Sequence, residues 1–584
     1  MALAMLVSVM TVTALASADG PQTWYTSSAG VGDGTTPDTP TTLEAAVDKA
    51  EAGDTIIVLD DITVGSSITL ENSITIRGKV GGETRPTLET SRKQMFILTS
   101  NTNVTFEDLI FDGSGEDYTG NLSGIYGGAI SADGKTASNQ CKNITLTIDN
   151  CEFKSFEAYA GGAICFHRVK SGKIYVINGS CFTNNKAEVS GGAIGIIDCI
   201  SVDLDVINSK FQNNTASTVG GAIGSNGSSS ESGEVVSFNI NNCEFKSNKI
   251  ESNLTDDASI FGGGAFGIKE TVGKVINIDI CDTTFAENST NRNNASGKNA
   301  RGGAIHILTG EYTLDLKGCT FEKNTSTGHG GAINLDVDRT KEASVKVLNT
   351  RFEENYSSTR GGAMHIAGGG VKTNISKVLF ESNKADGELG NAIVYFYSGN
   401  AKTTSVMYPT NGAAFKNNGG TLETGGTISL QSSPGSDDLV CFADYMIDGT
   451  RLYWKSENED DTDLEQVDRE IYADYKLGQY GGSLYLDEDT KDPSYSYDEY
   501  SNVFINNTAG QYGGAIFNYG SLTIGEPGED ITVNKVWDDE QEQEHDDVTV
   551  NLVRKSDGVE LYSLTLGTEN DWSGTFYGFP EKIR

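Results

Sequence analysis

Residues Cys181–Ile196 read CFTNNKAEVSGGAIGI, and Phe211–Ile223 read FQNNTASTVGGAI. Each stretch writes Phe-x-x-Asn, a few polar residues, and then Gly-Gly-Ala-Ile. A pattern found once can be a functional loop, but a pattern found many times is a unit that needs its copies. The Gly-Gly unit recurs at Gly127, Gly161, Gly191, Gly220, Gly263, Gly302, Gly330, Gly361, Gly481 and Gly513. Phe-x-x-Asn copies stand at Phe182, Phe211, Phe245, Phe285, Phe321, Phe352, Phe380, Phe415 and Phe504. Most neighbouring copies lie about thirty residues apart, the range of stacked structural repeats.

Between the two motifs run stretches such as SVDLDVINSKF (201–211) and VINIDICDTTF (275–285). Their alternation of apolar and polar residues, rich in Val and Ile, is the signature of strands. A unit of two or three short strands cannot bury its own apolar face, whereas stacked copies share one core and pass their edge hydrogen bonds along. The expected fold is therefore all-β: a parallel β-helix, a solenoid with the repeat Phe and Ile side chains stacked inside. The paired glycines supply a bend or a close backbone approach. The motif Asn is expected at a turn, in left-handed geometry. Ahead of the coils, TTLEAAVDKAEAGDTIIVLDD opens with a Thr41-x-x-Glu44 capping box and places Leu43, Ala46, Val47 and Ala50 on one face. A helix over 42–52 is expected to plug the first coil.

The opening LEAAVDKAEAGDTIIV, with ITIRG and VTFEDLIFDG after it, resembles the start of pectin-lyase-like right-handed β-helix proteins. The paired FxxN and GGA[ILM] motifs over about 104–525 resemble the polymorphic outer-membrane-protein repeat of bacterial surface adhesins. That family's C-terminal membrane barrel has no counterpart here, which puts an autotransporter route in doubt. From Gly528 the pattern changes. The motifs VNKVWDD, VTVNLV and NDWSGTFYGFP resemble the Cna B-type stalk domain of Gram-positive surface proteins, a β-sandwich that is partial here (529–584). In that family a first-strand lysine forms an intramolecular isopeptide bond. The resemblance places Lys535 as the candidate, with the acid and acceptor expected in later strands beyond Arg584.

These likenesses imply a β-helix over 24–528, an acidic insertion at about 437–500, and an extracellular location. Cell-wall attachment through a sorting region beyond residue 584 is expected. Residues 1–18 read as an export signal without its basic start. With 43 basic and 81 acidic residues, the formal net charge is −38. That balance argues against nucleic-acid binding, and no apolar run argues for membrane insertion. The nine cysteines show no zinc spacing. Cys151, Cys243 and Cys319 precede repeat Phe residues by two and are expected to face inward; disulfides between coils are left open. The stretch DDTDLEQVDRE offers oxygen ligands for calcium, but Leu464 stands where an EF-hand loop requires Gly, so no cofactor is expected.

One constellation stands apart. Arg301, His329 and Arg360 fill the slot before Gly-Gly in three successive copies; His306, Asn334 and His365 fill a slot just after it, with Asp336 and Asp338 nearby. Stacking brings these slots into columns about 5 Å apart per coil. The favoured reading is a solvated polar column; the functional alternative is a patch binding an acidic glycan. GHG at Gly328–Gly330 is similar to a polygalacturonase motif whose partner signatures do not appear. The function expected is a non-enzymatic, adhesin-like surface protein binding a host protein or glycan. The alternative is a polysaccharide lyase or glycoside hydrolase on the same fold.

Overall fold

The computed structural model describes residues 20–386 except 80–83, 91–93, 115–121, 137–139, 228–234, 252–261, 271–273, 292–299, 338–340, 368–370 and 377. Beyond 386 it describes chiefly isolated strands between 393 and 579. The signal stretch 1–18 and Asp338 lie outside the described residues, as do Gly481, Gly513 and the side chains of Phe415 and Phe504.

The chain winds as a right-handed parallel β-helix. Successive coils lay one strand into each of three long sheets, which reach 15, 13 and 16 strands, and eight coils add a strand of two or three residues to a fourth. In one coil these strands are Ser201–Ile207, Lys210–Gln212, Ile223–Asn226 and Thr215–Ala216. Equivalent strands of successive coils pair in parallel and in register, as Phe182 with Phe211 and Phe211 with Phe245. The alternating pattern read in 201–207 is the burial pattern observed, with Val202, Leu204 and Val206 inside.

The repeat phenylalanines form a continuous interior stack. From Phe153 through Phe182, Phe211, Phe245, Phe285, Phe321 and Phe352 to Phe380, ring centroids stand 4.8–5.0 Å apart, with planes tilted by 9° or less. Isolated aromatic pairs prefer offset or edge contacts; here the strand spacing of about 4.8 Å sets the geometry.

The motif asparagines stand at the corner between two strands, as Asn185 does between Cys181–Thr183 and Lys186–Ala187, but their side chains turn inward. Asn185, Asn214, Asn248, Asn288, Asn324, Asn355 and Asn383 are fully buried. Each Nδ2 from Asn185 to Asn355 donates to Oδ1 of the next coil's Asn at 2.9–3.0 Å and to the repeat Phe carbonyl of the preceding coil. Each Oδ1 from Asn214 onward also accepts the previous Asn's backbone N–H. The buried amides are thus satisfied by one another, which is the condition for burying them without penalty. The left-handed residue is the one before the motif Asn, as at Asn184, Asn213 and Lys323.

The glycine pair answers two constraints. Gly191 has φ +69°, and a Cβ on Gly192 would lie 2.1 Å from the next coil's Gly221 carbonyl oxygen. Neither position admits another side chain.

At the N-terminal end the helix spans Leu43–Lys49 and buries Leu43, Ala46 and Val47 in the main core. It is shorter than 42–52, and its cap is Thr42, whose Oγ1 accepts the Ala45 N–H at 3.2 Å. Thr41 instead bridges to Thr26, so the cap moves by one residue and, with Ala45 at the third helical position, the expected capping box does not form.

Past residue 386 the stacking order departs from chain order. Strands Asn502–Ile505, Ile516–Asn518 and Ser521–Ile524 dock directly on the coil of 371–396, and strands of 405–430 stack on their far side. Within the expected insertion, Arg451–Ser456 and Gly482–Asp487 pair antiparallel. The C-terminal region contributes two antiparallel pairs, Glu529–Asn534 with Ser573–Phe579 and Val548–Val553 with Glu560–Leu566. No helix among the described residues is long and apolar enough to cross a membrane.

Candidate functional site

The 16-stranded sheet turns an outer face toward the glycine bends. Three slots of each coil meet there: the ledge residue before Gly-Gly, the fourth residue after the first Gly, and the sixth. In the C-terminal coils the fourth-residue column runs His306, Asn334, His365 in direct register, as the sequence predicts. It is not solvated. His306, Asn334 and His365 are 2%, 0% and 3% exposed, because the ledge residues and glycine bends lie over them. The expected polar column is therefore a buried wall, and only Arg301, His329 and Arg360 remain half-exposed.

Asp336 holds the wall together. Its Oδ2 accepts from Asn334 Nδ2 at 2.8 Å and from the Arg301 guanidinium at 3.1 Å, and it lies 3.2 Å from His306 Nε2. Burial alone would raise this carboxyl, but the hydrogen bond and charge of His306 and then Arg301 hold it well below the usual carboxylate range. His365 Nδ1 sits 2.8 Å from Asn334 Oδ1, and its ring stacks on His329 at 4.5 Å. His329 Nδ1 lies 2.6 Å from Thr359 Oγ1. Burial, and next the flanking Arg301 and Arg360, bring His329 down to about 4. Burial and the neighbouring His329 hold His365 well below the ordinary histidine value. Near neutral pH these two imidazoles are uncharged. All six patch residues thus converge, but three of them are walled in.

The ledge follows a rule that sequence reading missed. The ledge residue of one coil reaches the sixth-position residue of the next. Arg301 meets Asp336 in this way. So does Ser190, whose Oγ accepts Asn226 Nδ2 at 3.2 Å, and so does Tyr126, whose ring stacks on His167 at 3.7 Å. The partners are 35–41 residues apart and sit in different slots, so no single-column reading brings them together. A second missed group is interior: Lys274 Nζ donates to Glu270 Oε2 at 2.8 Å and to the Cys199 carbonyl at 2.6 Å, and Ser225 Oγ donates to Glu270 Oε1. In sequence, a Glu and a Lys four residues apart in a turn read as solvated charges.

The eight described cysteines are free thiols, and Cys151, Cys243 and Cys319 are buried. Burial pushes Cys151, Cys199 and Cys319 up to about 12, which makes them inert packing groups. Lys535 directly follows the first C-terminal strand, half-exposed, with Nζ 3.3 Å from the Val536 carbonyl oxygen. The calcium candidate at 460–470 falls largely outside the described residues.

Comparison with known proteins gives two family matches. Residues 531–583 match the Cna protein B-type domain. Residues 318–336 and 503–519 match the Chlamydia polymorphic membrane protein repeat, the first segment spanning the Phe321–Asn324 motif through Asp336. Among solved structures the chain is similar to pectate lyase Pel9A at 11% identity, covering 65% of this chain and 78% of that one with a TM-score of 0.23. No curated protein matches the chain. The molecule is a parallel β-helix repeat protein. Within it, segments are similar to the polymorphic membrane protein repeat and, after them, to the Cna protein B-type domain.

Proposed function

We propose that this chain is a non-enzymatic, adhesin-like surface protein whose β-helix offers a long lateral face to host proteins or glycans. The two family matches support surface display, and the Cna-type segment supports a stalk role in a Gram-positive envelope, with Lys535 as its candidate isopeptide lysine. Within the polar cluster, the half-exposed Arg301, His329 and Arg360 form the contact for an acidic glycan, and the buried His306, Asn334 and His365 hold them in place.

The observation that carries this reading is the state of Asp336. A glycosidase needs two suitably spaced carboxylates, and a lyase needs a base free to take a proton. Among the described residues the cluster holds one carboxylate, and Arg301, His306 and Asn334 occupy its Oδ2. The test is incubation of the full chain with pectins and glycosaminoglycans. We expect no new unsaturated uronates or reducing ends, and retention on immobilised acidic glycan that falls in the Arg301→Ala, Arg360→Ala double variant. Turnover would establish the lyase or hydrolase reading instead.

A further inference from the structure

We propose that Tyr126, Tyr159, His167 and Asp133 form a binding subsite for a neutral pyranose ring of an extended glycan. The cluster lies on the same outer face as the cationic patch but at the opposite end of the ledge. From the coil of Gly127 to that of Gly302 is five steps, or about 24 Å at the strand spacing. That exceeds the screening length at physiological salt, so the two ends act on a ligand independently.

The geometry has the parts that sugar recognition needs. The Tyr126 ring lies flat on the His167 imidazole at 3.7 Å and 13°, and Tyr159 stands nearly perpendicular to Tyr126 at 5.8 Å and 86°. Two half-exposed rings at right angles give a floor and a wall. They are held in advance of any ligand. His167 is 3% exposed and fixed by Asp133 Oδ1, 2.7 Å from its Nδ1. In the next coil the ledge slot is Ala160, in register with Tyr126, which leaves Tyr126 room to reach over it. Neither tyrosine hydroxyl, nor Asp133 Oδ2, has a hydrogen-bond partner among the described residues.

A pyranose presents a face of C–H bonds and a rim of hydroxyls. The first packs on aromatic rings, and the second donates to a carboxylate oxygen and exchanges hydrogen bonds with phenols. A few convergent polar groups on an apolar, preformed floor is the usual make-up of a small-ligand site. The carboxylate selects against a uronate or sulfated ring at this end, because two anions in contact repel. Cation recognition stays with Arg301 and Arg360.

This subsite rests on the glycan-contact reading above, and the experiment keeps the two apart. The full chain is titrated against hexasaccharides of β-linked glucose, galactose and N-acetylglucosamine, with heparin and polygalacturonate in parallel. At least one neutral hexasaccharide should bind. Tyr159→Ala should weaken it about tenfold, and Tyr126→Phe, which keeps the ring, should stay within about threefold of the parent. Binding of acidic glycan should not change in either variant, while Arg301→Ala with Arg360→Ala should give the opposite pattern. Unchanged far-ultraviolet dichroism and melting confirm that Tyr159→Ala folds. No neutral ligand for the parent chain, or parent-like affinity in Tyr159→Ala, overturns the subsite. Turnover of pectin with tyrosine-dependent neutral binding intact overturns the non-enzymatic reading and leaves the subsite standing.

Discussion

The coils of residues 191–267 and those of 301–365 share one backbone and differ in what stands on its outer face. In the middle coils the fourth-residue column is Gly195, Gly224 and Gly267, and a Cβ on Gly224 would lie 2.6 Å from the Gly191 amide nitrogen of the preceding bend. There the bend lies directly on the sheet. In the later coils the same column carries His306, Asn334 and His365, and the ledge above it carries Arg301, His329 and Arg360. The Phe stack and the Asn ladder run through both regions without interruption. The interior motif therefore builds the coil, and the outer slots are free to carry chemistry or to be silent. Glycine pairs mark where a coil bends and say nothing about which coil acts.

The sharpest way to break that division is to damage the interior motif in one coil. Asn248→Ala removes the acceptor of two Asn214 donors, its backbone N–H and Nδ2, and leaves the Phe211 carbonyl without the Nδ2 donor. Each orphaned buried group costs about 1–3 kcal/mol, so a loss of about 3–5 kcal/mol is expected, read as the urea midpoint. Ser190→Ala on the ledge should cost about 1 kcal/mol, because Ser190 is buried but its partners Asn226 and Thr218 are themselves part-exposed and reach water or a second acceptor. Equal effects would show that interior and ledge are not separate levels of the structure.

A smaller effect tests whether the ledge couples coils as pairs. The middle pair Ser190–Asn226 can be transplanted as Arg301→Ser with Asp336→Asn. Arg301 is partly exposed (40% of its side chain), so Arg301→Ser alone should cost under about 1 kcal/mol. Asp336→Asn alone should cost about 2 kcal/mol, since it leaves the guanidinium without its counter-charge and alters a buried acceptor. The double variant should be less damaged than the sum of the singles, with a coupling of about 1 kcal/mol. Strict additivity would remove the diagonal pairing.

The sequence carried the solenoid clearly, because Phe182, Phe211 and Phe245 recur with the glycine bends and period-two strands between them. It placed Asn185 and its copies at a corner between strands but misled on their role, because local turn chemistry is the common reason for an Asn there, while burial in a ladder depends on neighbours that only stacking supplies. Cys151, Cys243 and Cys319 were legible as inward because they keep the strand's phase. The Tyr126–His167 and Arg301–Asp336 contacts were not legible. They join different slots across coils whose loops vary in length, so no fixed spacing marks them. The burial of His306 and His365 was hidden for the same reason: the covering atoms belong to other coils.

The histidine stack distinguishes the two regions by pH. His329, at about 4, and His365, well below its ordinary value, stay neutral in the folded coils. In the unfolded chain both take up a proton near 6.5. Between about pH 6.5 and 4 the unfolded state therefore binds more protons, and stability must fall as the pH falls through that window. The stabilisation is complete above pH 6.5, where both states are neutral. Asp336 adds a loss of the same sign only below about pH 4, the ordinary carboxylate range, as its protonation begins to favour the unfolded chain. The melting temperature should drop by several degrees from pH 7 to pH 4.5, and replacing His329 with Gln and His365 with Asn should flatten that slope. The middle coils hold no histidine in these slots, so a slope that persists undiminished in the double variant would place the titration elsewhere and detach the imidazoles from the stability of the later coils.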